Sequence, residues 1–343
     1  MAKKLVAAVL PALVFIVLLA PARATEEALR IVATTTQASD LLRILSADRE
    51  DIMITSLMGP GVDPHLYQPT ESDIEAMNRA AMVVYSGLRL EGQFDTVFAA
   101  LGEQGIKTYA MGEPVKEAGF IVGGFDLSDQ YSNVDDPHFW FDPRNWEVTA
   151  LDLAEALAEL DPQNAQAYRD NAGAYSAQLQ ALFAWANGGL RSIDEARRFL
   201  VTSHDAFQYF GAAFGWKMQA VQGLSTDDEA GVGDIQATVD FVIENEIPVL
   251  FVESSIPPDT IDAVIEAVEA QGESARVGIR ELFGDAMGEP GSFGGTYIGM
   301  LAQNALTIMQ SYQCMGEDVD ILEWDAELLP KPPDDLWNAD CDE

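Results

Sequence analysis

Two strand–helix series, separated by one long helical pattern, constrain the fold of this chain more than any other feature. Short β-rich runs alternate with segments of helical spacing over residues 29–110, and the alternation returns over residues 199–279. Consecutive parallel strands need a crossover connection, usually a helix, so this alternation is typical of a parallel sheet covered by helices. The sequence therefore predicts an α/β fold with two parallel-sheet lobes of similar build.

Each series contains four predicted strands. They are residues 29–34, 52–57, 82–86 and 106–110 in the first series, and residues 199–202, 218–221, 248–253 and 275–279 in the second. The predicted helices between them are residues 39–45, 71–79, 93–104, 205–214, 233–244 and 259–271. No residue-level repeat relates the two series, so their similarity is one of rhythm alone.

A single amphipathic pattern runs between the two series. Its apolar residues recur at intervals of four and three and form one stripe of a helix, namely Tyr168, Ala172, Tyr175, Leu179, Leu182 and Ala186. Asp161 and Pro162 suit the start of a helix, and Gly188 with Gly189 suits its end. We expect one long rigid helix that joins the lobes, and a covering helix within one lobe is the alternative.

The first 24 residues have the pattern of a secretory signal peptide. Lys3 and Lys4 precede an apolar run at residues 5–20, and the small residues Ala22 and Ala24 flank a cleavage position. A retained membrane anchor is the alternative, but the run is shorter than the roughly 20 residues that span a bilayer. Because no cysteine lies near the cut, we expect a periplasmic protein without a lipid anchor.

The predicted organisation has five parts. They are a signal peptide (1–24), an N-terminal lobe (25–162), a linking helix (163–189), a C-terminal lobe (190–312) and an acidic tail (313–343). From residue 317 onward the chain has eleven acidic residues and one lysine, so we expect a solvated extension there. Export permits a disulfide between Cys314 and Cys341, and two free thiols are the alternative.

The charge of the chain excludes two classes of partner. With 56 acidic and 19 basic residues, its formal net charge is −37. Such a chain repels the phosphates of nucleic acids and the surface of anionic membranes. Cations are the partners that this charge favours.

The three histidines have related sequence surroundings. Scattered structural histidines would have unrelated surroundings. His65 and His138 each follow an Asp-Pro pair, and a proline restricts both itself and the residue before it, so each imidazole projects from a stiff turn. His204 follows a predicted strand, at the sheet edge where open α/β folds bind ligands. Each histidine alone could be a hydrogen-bonded structural residue, but the three together favour a binding site.

Three imidazoles and one carboxylate make a four-ligand shell for zinc, or for manganese with added carboxylate oxygens. Many acidic residues could supply the carboxylate. We prefer Asp285, because it lies after the last predicted strand in a glycine-containing loop. A solvated loop aspartate is the alternative interpretation of this residue.

Six segments resemble the periplasmic zinc/manganese-binding proteins of ABC importers, a family of metal-specific solute-binding proteins. In chain order they are GVDPHLYQPT (61–70), DPHFWFDPRNW (136–146), VTSHDAFQYF (201–210), GLSTDDEAGVGDIQATVDFV (223–242), VLFVESSIPP (249–258) and FGDAMGEPGSFGGTYIGM (283–300). The resemblance covers nearly all of residues 28–312. It implies two lobes joined by one long helix, with His65, His138, His204 and Asp285 as the metal ligands between them.

The resemblance also implies a function and a partner. The protein would capture one zinc or manganese ion per chain as transported ligand, act as a monomer and deliver the ion to an ABC permease. Zinc-dedicated members of the family often have a His-rich loop before the second ligand, and residues 123–136 contain no histidine before His138. Manganese-dedicated members commonly have glutamate at the position of His204. The identity of the ion therefore stays open, although nitrogen-rich sites bind zinc more tightly than manganese.

Three other functions are alternatives to transport. A secreted zinc hydrolase keeps an open metal position for water, yet four protein ligands would close the shell and no His-Glu-x-x-His helix is present. A binding protein for an organic solute would share the two-lobed fold but leave the histidines without a use. A surface adhesin of the cell adhesion family would hold the metal only structurally. We therefore expect a transport component and not an enzyme.

Overall fold

The computed structural model describes residues 28–47, 49–125, 134–227, 229–338 and 341. The predicted signal peptide (1–24) lies outside these ranges, as do Asp228 and most of the segment that precedes His138. No helix within the described ranges combines the length and hydrophobicity that crossing a membrane requires.

The first half of the chain forms a four-stranded parallel sheet in the order β2-β1-β3-β4. Its strands are β1 (Leu29–Ala33), β2 (Ile52–Ser56), β3 (Met82–Tyr85) and β4 (Lys107–Ala110), and its helices are α1 (Thr36–Ser46), α2 (Glu71–Asn78), α3 (Asp95–Glu103) and α4 (Glu113–Glu117). Helix α1 begins where Thr35 accepts the N–H of Ala38, and its leucines Leu41 and Leu45 are buried against the sheet. A short antiparallel pair, β5 (Gly123–Phe125) and β6 (Val134–Asp135), follows.

Two long helices come next. Helix α5 (Pro143–Leu160) begins at the cap Asp142, and α6 (Ala165–Leu190) follows a 3-10 turn at Pro162–Asn164. All six residues of the apolar stripe predicted for the linking helix are buried. The prediction of one long helix between the two series is therefore confirmed, and its 26 residues make it about 39 Å long.

The second half repeats the strand order of the first. Its elements are β7 (Phe199–Thr202), α7 (Gln208–Phe214), β8 (Lys217–Ala220), α8 (Val232–Glu244), β9 (Val249–Leu250), α9 (Asp259–Ala270), β10 (Arg276–Val277) and α10 (Tyr297–Cys314). Strand β7 pairs in parallel with β8, and β9 with β10. The N–H of Phe251 donates to the carbonyl of Val201 at 2.9 Å and joins the pairs in the order β8-β7-β9-β10. This order matches β2-β1-β3-β4, so the predicted α/β fold class with two similar parallel sheets is confirmed.

Helix α6 contacts both halves and shares one hydrophobic core with them. It packs against α1 and α5 on one side and against α7 and α10 on the other. Aromatic pairs extend this core, since Trp146 stacks on Tyr297 with ring centroids 4.8 Å apart and Phe141 stacks on Phe207 at 4.3 Å. The boundaries predicted for the lobes, at residues 25–162 and 190–312, stay a prediction.

Sequence patterns missed α5 and α10 and overestimated two strands. In α10, 15 of the 18 residues are buried, so no polar face produces an amphipathic period. The predicted strands at residues 248–253 and 275–279 shrink to two residues each, because beyond β9 the chain keeps only a single bridge between Glu253 and Leu282. Buried runs without alternation do not distinguish strand from extended loop.

The C-terminal tail is not wholly a solvated extension, which corrects that expectation. Its acidic residues are mostly exposed, but Val319 and Leu329 are buried, and Trp324 packs edge-on against Trp185 of α6 with ring centroids 4.8 Å apart. Cys314 and Cys341 form a disulfide across Cα atoms 5.3 Å apart. The tail therefore lies along the molecule, because its few apolar residues gain more from burial than its charges lose.

The double variant Cys314→Ser/Cys341→Ser tests how firmly the tail is held. The disulfide closes a loop across 27 residues, so its loss should lower the free energy of unfolding by about 3 kcal/mol in urea titrations. Reduction of the unaltered protein should give the same result, and reduction of the double variant should change nothing. Equal stability of the two proteins would contradict the docked tail.

Candidate metal centre

All four residues singled out from the sequence meet at one place between the two sheets. His65 lies in the loop after β2, His138 follows β6, His204 follows β7, and Asp285 lies in the loop between β10 and α10. One ligand-type atom from each lies within 4.8 Å of those of the other three, and all four side chains are buried. The carboxyl ends of parallel strands put the loops of His65 and His204 at this position, whereas His138 follows the antiparallel strand β6.

The spacing of these atoms is that of a tetrahedral shell. Nε2 of His65 lies 3.3 Å from Nε2 of His138, and Oδ1 of Asp285 lies 3.3 Å from Nε2 of His138. Oδ2 of Asp285 lies 3.3 Å from Nε2 of His204 and 3.7 Å from Nε2 of His65. Metal–ligand bonds of about 2.1 Å in tetrahedral geometry imply ligand atoms about 3.4 Å apart. These four distances are close to that spacing, so the cluster is compact enough to share one metal ion.

The Asp-Pro-His motif owes its geometry to the aspartate as much as to the proline. Oδ1 of Asp63 accepts the N–H of His65 at 2.8 Å, and Oδ1 of Asp136 accepts the N–H of His138 at 2.9 Å. An aspartate that accepts the N–H two residues later closes a local turn, and the proline between them has no N–H to compete. The sequence indicated stiff turns, but it did not show that each carboxylate holds the backbone of its histidine.

Two buried carboxylates orient two of the imidazoles. Nδ1 of His138 donates to Oδ1 of Asp136 at 2.7 Å, and Nδ1 of His204 lies 2.8 Å from Oε2 of Glu253. Glu253 also accepts the N–H of His204 through Oε1 at 2.9 Å. A carboxylate on Nδ1 directs Nε2 toward a metal and raises its basicity. In each case the Nε2 atom faces Asp285.

Sequence reasoning missed the roles of Asp136 and Glu253. Glu253 is separated from His204 by 49 residues, so only tertiary structure joins them. Gly284 was one sequence signal that another group packs closely beside Asp285. A Cβ atom at Gly284 would lie 2.5 Å from Oε2 of Glu253. A glycine beside the carboxylate ligand leaves room for this second carboxylate.

The imidazoles differ in their affinity for protons. Burial lowers the pKa of His65 to about 3, against the opposing charge of Asp285. Burial also disfavours protonation of His138, but Asp136 and Asp285 outweigh it and raise the pKa of His138 to about 9. For His204, Glu253 and Asp285 likewise outweigh burial and raise the pKa well above its ordinary value. Neighbouring carboxylates thus favour a positive charge at two of the three imidazoles.

Asp285 supplies the charge that a cation requires. Burial opposes its ionisation, but His204 and His138 outweigh burial and hold its pKa well below the usual range. Neither carboxylate oxygen receives a hydrogen bond of good geometry from the described residues, although both are buried. Buried polar atoms are normally satisfied, so two unsatisfied oxygens that face three imidazoles fit a bound cation. The nitrogen and oxygen donor set suits zinc, and both oxygens facing inward also allow the higher coordination of manganese.

The loop that contains Asp285 folds back on itself through its glycines. The N–H of Gly288 donates to the carbonyl of Gly294 at 2.8 Å, and a Cβ atom on Gly295 would overlap the carbonyl oxygen of Glu289. Glycine is required at Gly295 for this close approach of backbone. The glycines therefore build a compact loop, whereas the sequence alone indicated only a loop rich in them.

Known proteins resemble this chain over most of its length. It is 39% identical over 290 residues to the manganese-binding lipoprotein MntA of Bacillus subtilis, which covers 84% of this chain and 91% of that protein. It is 36% identical over 280 residues to the zinc-binding protein TroA of Treponema pallidum, covering 81% and 87%. It is 28% identical over 287 residues to the manganese ABC transporter substrate-binding lipoprotein PsaA of Streptococcus mitis, covering 82% and 88%.

A solved structure also matches the fold. The periplasmic zinc-binding protein TroA from Treponema pallidum superposes with a TM-score of 0.76 at 35% sequence identity, covering 83% of this chain and 99% of that chain. The two-sheet architecture with its long helices is therefore a TroA-type fold.

The expectation of a protein without a lipid anchor is wrong. MntA of Bacillus subtilis and PsaA of Streptococcus mitis are both named lipoproteins. The expectation depended on the absence of a cysteine near residue 24, in a segment outside the described residues. Such a local absence is weak support when similar proteins are named lipoproteins. A location outside the cytoplasm agrees with these relatives.

The sequence profile of one family matches nearly the whole folded part of the chain. The family is described as zinc-uptake complex component A, periplasmic, and its profile matches residues 31–311. This range includes both sheets, the long helix and the four clustered side chains. The chain belongs to the family of periplasmic zinc-uptake component A proteins.

Proposed function

We propose that this protein captures one zinc or manganese ion outside the cytoplasm and delivers it to an ABC permease. The observation that carries the proposal is the buried cluster of His65, His138, His204 and Asp285, with neighbouring donor atoms 3.3–3.7 Å apart. In this proposal the four side chains are the metal ligands, and the ion is the cargo of the protein. Relatives named for binding manganese, for binding zinc and for an ABC transporter support it.

The donor set favours zinc in affinity while it still permits manganese. Three nitrogen donors and one carboxylate bind zinc more tightly than manganese, as the general order of metal affinities requires. Oδ1 of Asp285 faces His138 while Oδ2 faces His65 and His204, so a two-oxygen contact would add a fifth donor for manganese. Metal-free protein that is offered both ions in equal amounts, followed by metal analysis, decides between them.

The closed shell supports binding and not catalysis. A hydrolytic zinc site keeps one position for water and places a general base beside it. Here four protein donors surround the centre, and the nearby carboxylates of Asp136 and Glu253 are committed to histidines. The relatives are likewise named as binding proteins.

The partners follow from the same features. The permease is the partner that an importer component requires, and each chain has a complete ligand set, so a monomer suffices. The net charge of −37 disfavours nucleic acid. We also propose that the lobes are residues 25–162 and 190–312, joined by the helix of residues 163–189, because α6 contacts helices of both halves.

The protein should bind one divalent transition metal per chain, and His204→Ala should lower the affinity more than about 100-fold. That loss exceeds the 10–100-fold typical of residues that only orient a ligand. Calorimetry with zinc measures both quantities. Two equal sites, or unchanged affinity in this variant, would show that the assignment is incorrect.

A second variant separates the loss of a ligand from the loss of the fold. His204→Ala leaves the buried carboxylate of Glu253 without its imidazole, which destabilises the metal-free protein. The double variant His204→Ala/Glu253→Gln removes that charge. It should recover stability in urea titrations without recovering zinc affinity.

Zinc affinity should fall as the pH is lowered from 7.5 to 5.5. The pKa of His138 is raised to about 9 and that of His204 is raised well above its ordinary value, so both hold protons that zinc must displace. His65, with a pKa near 3, holds none. Each displaced proton lowers affinity about tenfold per pH unit, which gives at least about 100-fold over two units. Equal affinities at the two pH values would exclude histidine coordination.

The lobes should move little when metal binds. Helix α6 lies in a core shared by both halves, so a wide hinge would have to break that core. Small-angle scattering of metal-free and zinc-loaded protein should give nearly the same radius of gyration, with His204→Ala as the control for added zinc. A large decrease on loading would favour a hinge-closing mechanism.

A further inference from the structure

The loop of Asp285 is held from the opposite sheet by the first turn of α1. Nε2 of Gln37 donates to the main-chain carbonyl of Asp285 at 2.9 Å, and the N–H of Met287 donates to Oγ1 of Thr36 at 2.9 Å. Thr36 and Gln37 follow β1 of the first sheet, whereas Asp285 follows β10 of the second. Two hydrogen bonds therefore cross the cleft to the backbone on either side of Ala286.

A third hydrogen bond fixes the direction of this contact. Oγ1 of Thr36 donates to Oε1 of Gln37 at 2.9 Å, while it accepts the N–H of Met287. The amide of Gln37 must therefore turn its NH2 group toward Asp285. Gln37 is 2% exposed, so water has little access to compete for its bond to Asp285. Hydrogen bonds that share partners in a buried site strengthen one another.

Asp285 depends on this backbone contact more than His138 and His204 depend on theirs. His138 and His204 each have a buried carboxylate on Nδ1 that sets the direction of the ring. The carboxylate of Asp285 has no comparable partner among the described residues, and its oxygens face only imidazoles. Its position is thus set by where the main chain lies.

We infer that Gln37 and Thr36 are positioning residues that hold the Asp285 loop and set the lifetime of the bound metal. The inference rests on the proposed function, because it concerns the same site. Metal leaves when the Asp285 carboxylate moves away, and that movement must break the two hydrogen bonds to α1. The stronger these two hydrogen bonds are, the longer the bound metal should therefore stay.

Stopped-flow measurement of zinc release to an excess of chelator tests the inference. Gln37→Met removes the amide at nearly constant volume and should raise the dissociation rate about tenfold, equivalent to about 1.4 kcal/mol. The one-to-one stoichiometry should stay at the value of the unaltered protein. Thr36→Val should also speed release, and Thr36→Ser, which keeps the hydroxyl, should release zinc at nearly the original rate.

Gln310→Met is the matched control. Gln310 is also buried, donates through Nε2 to the carbonyl of Leu336 at 2.9 Å, and accepts from Arg280 through Oε1 at 2.7 Å, but it forms no hydrogen bond with residues 284–288 around Asp285. Its variant should release zinc at the original rate, even if it is less stable in urea.

The outcomes separate the inference from the function on which it rests. If the unaltered protein binds zinc one-to-one and Gln37→Met and Thr36→Val release it at the original rate, the inference is overturned and the function stands. Equal acceleration in Gln310→Met would also overturn it, since the effect would then be one of general stability. Failure of the unaltered protein to bind zinc would overturn the proposed function, and the inference with it.

Discussion

A buried carboxylate that faces three imidazoles is the constraint on which the rest of the structure depends. Asp285 is 1% exposed, and among the described residues only the three histidines face its carboxylate and compensate its charge. An isolated buried carboxylate is costly, so its neighbours must either bind protons or share a cation. The carboxylates that contact His138 and His204 add further negative charge, which positive charge must balance. This explains why all three histidines of the chain lie here.

The fold meets this constraint by making two similar sheets face each other. The order β2-β1-β3-β4 in the first sheet and β8-β7-β9-β10 in the second directs carboxyl-end loops of both toward one cleft. Helix α6 and the aromatic core around it hold the two halves at a set separation. Because the ligand atoms must stay within bonding distance of one point, rigidity of this core serves the site directly. Hydrogen bonds also cross between the halves, from α1 to the Asp285 loop and from Thr226 to Asp63 in the His65 loop.

Much of the architecture could be predicted, because periodicity reports local structure. The strands at residues 29–33 and 199–202 and the stripe of α6 follow from alternation and from helical spacing. Helix α10 could not be predicted in this way, because burial on nearly every side removes the polar face that reveals a helix. The tail was misjudged for a related reason: its composition is dominated by exposed acids, while the burial of Val319, Leu329 and its tryptophans depends on α6 and α10 being beside it.

The sequence by itself determined the candidate residues: three histidines, two of them in Asp-Pro-His turns, and an aspartate in a glycine-rich loop. These features are local, since a turn is set by residues next to each other along the chain. Only the tertiary structure decided which carboxylates stand behind His138 and His204, that the four side chains meet at tetrahedral spacing, and that Gln37 holds the backbone of Asp285. Gln37 and Asp285 are 248 residues apart, and no local pattern reports a contact across such a distance, because it depends on how two whole sheets pack.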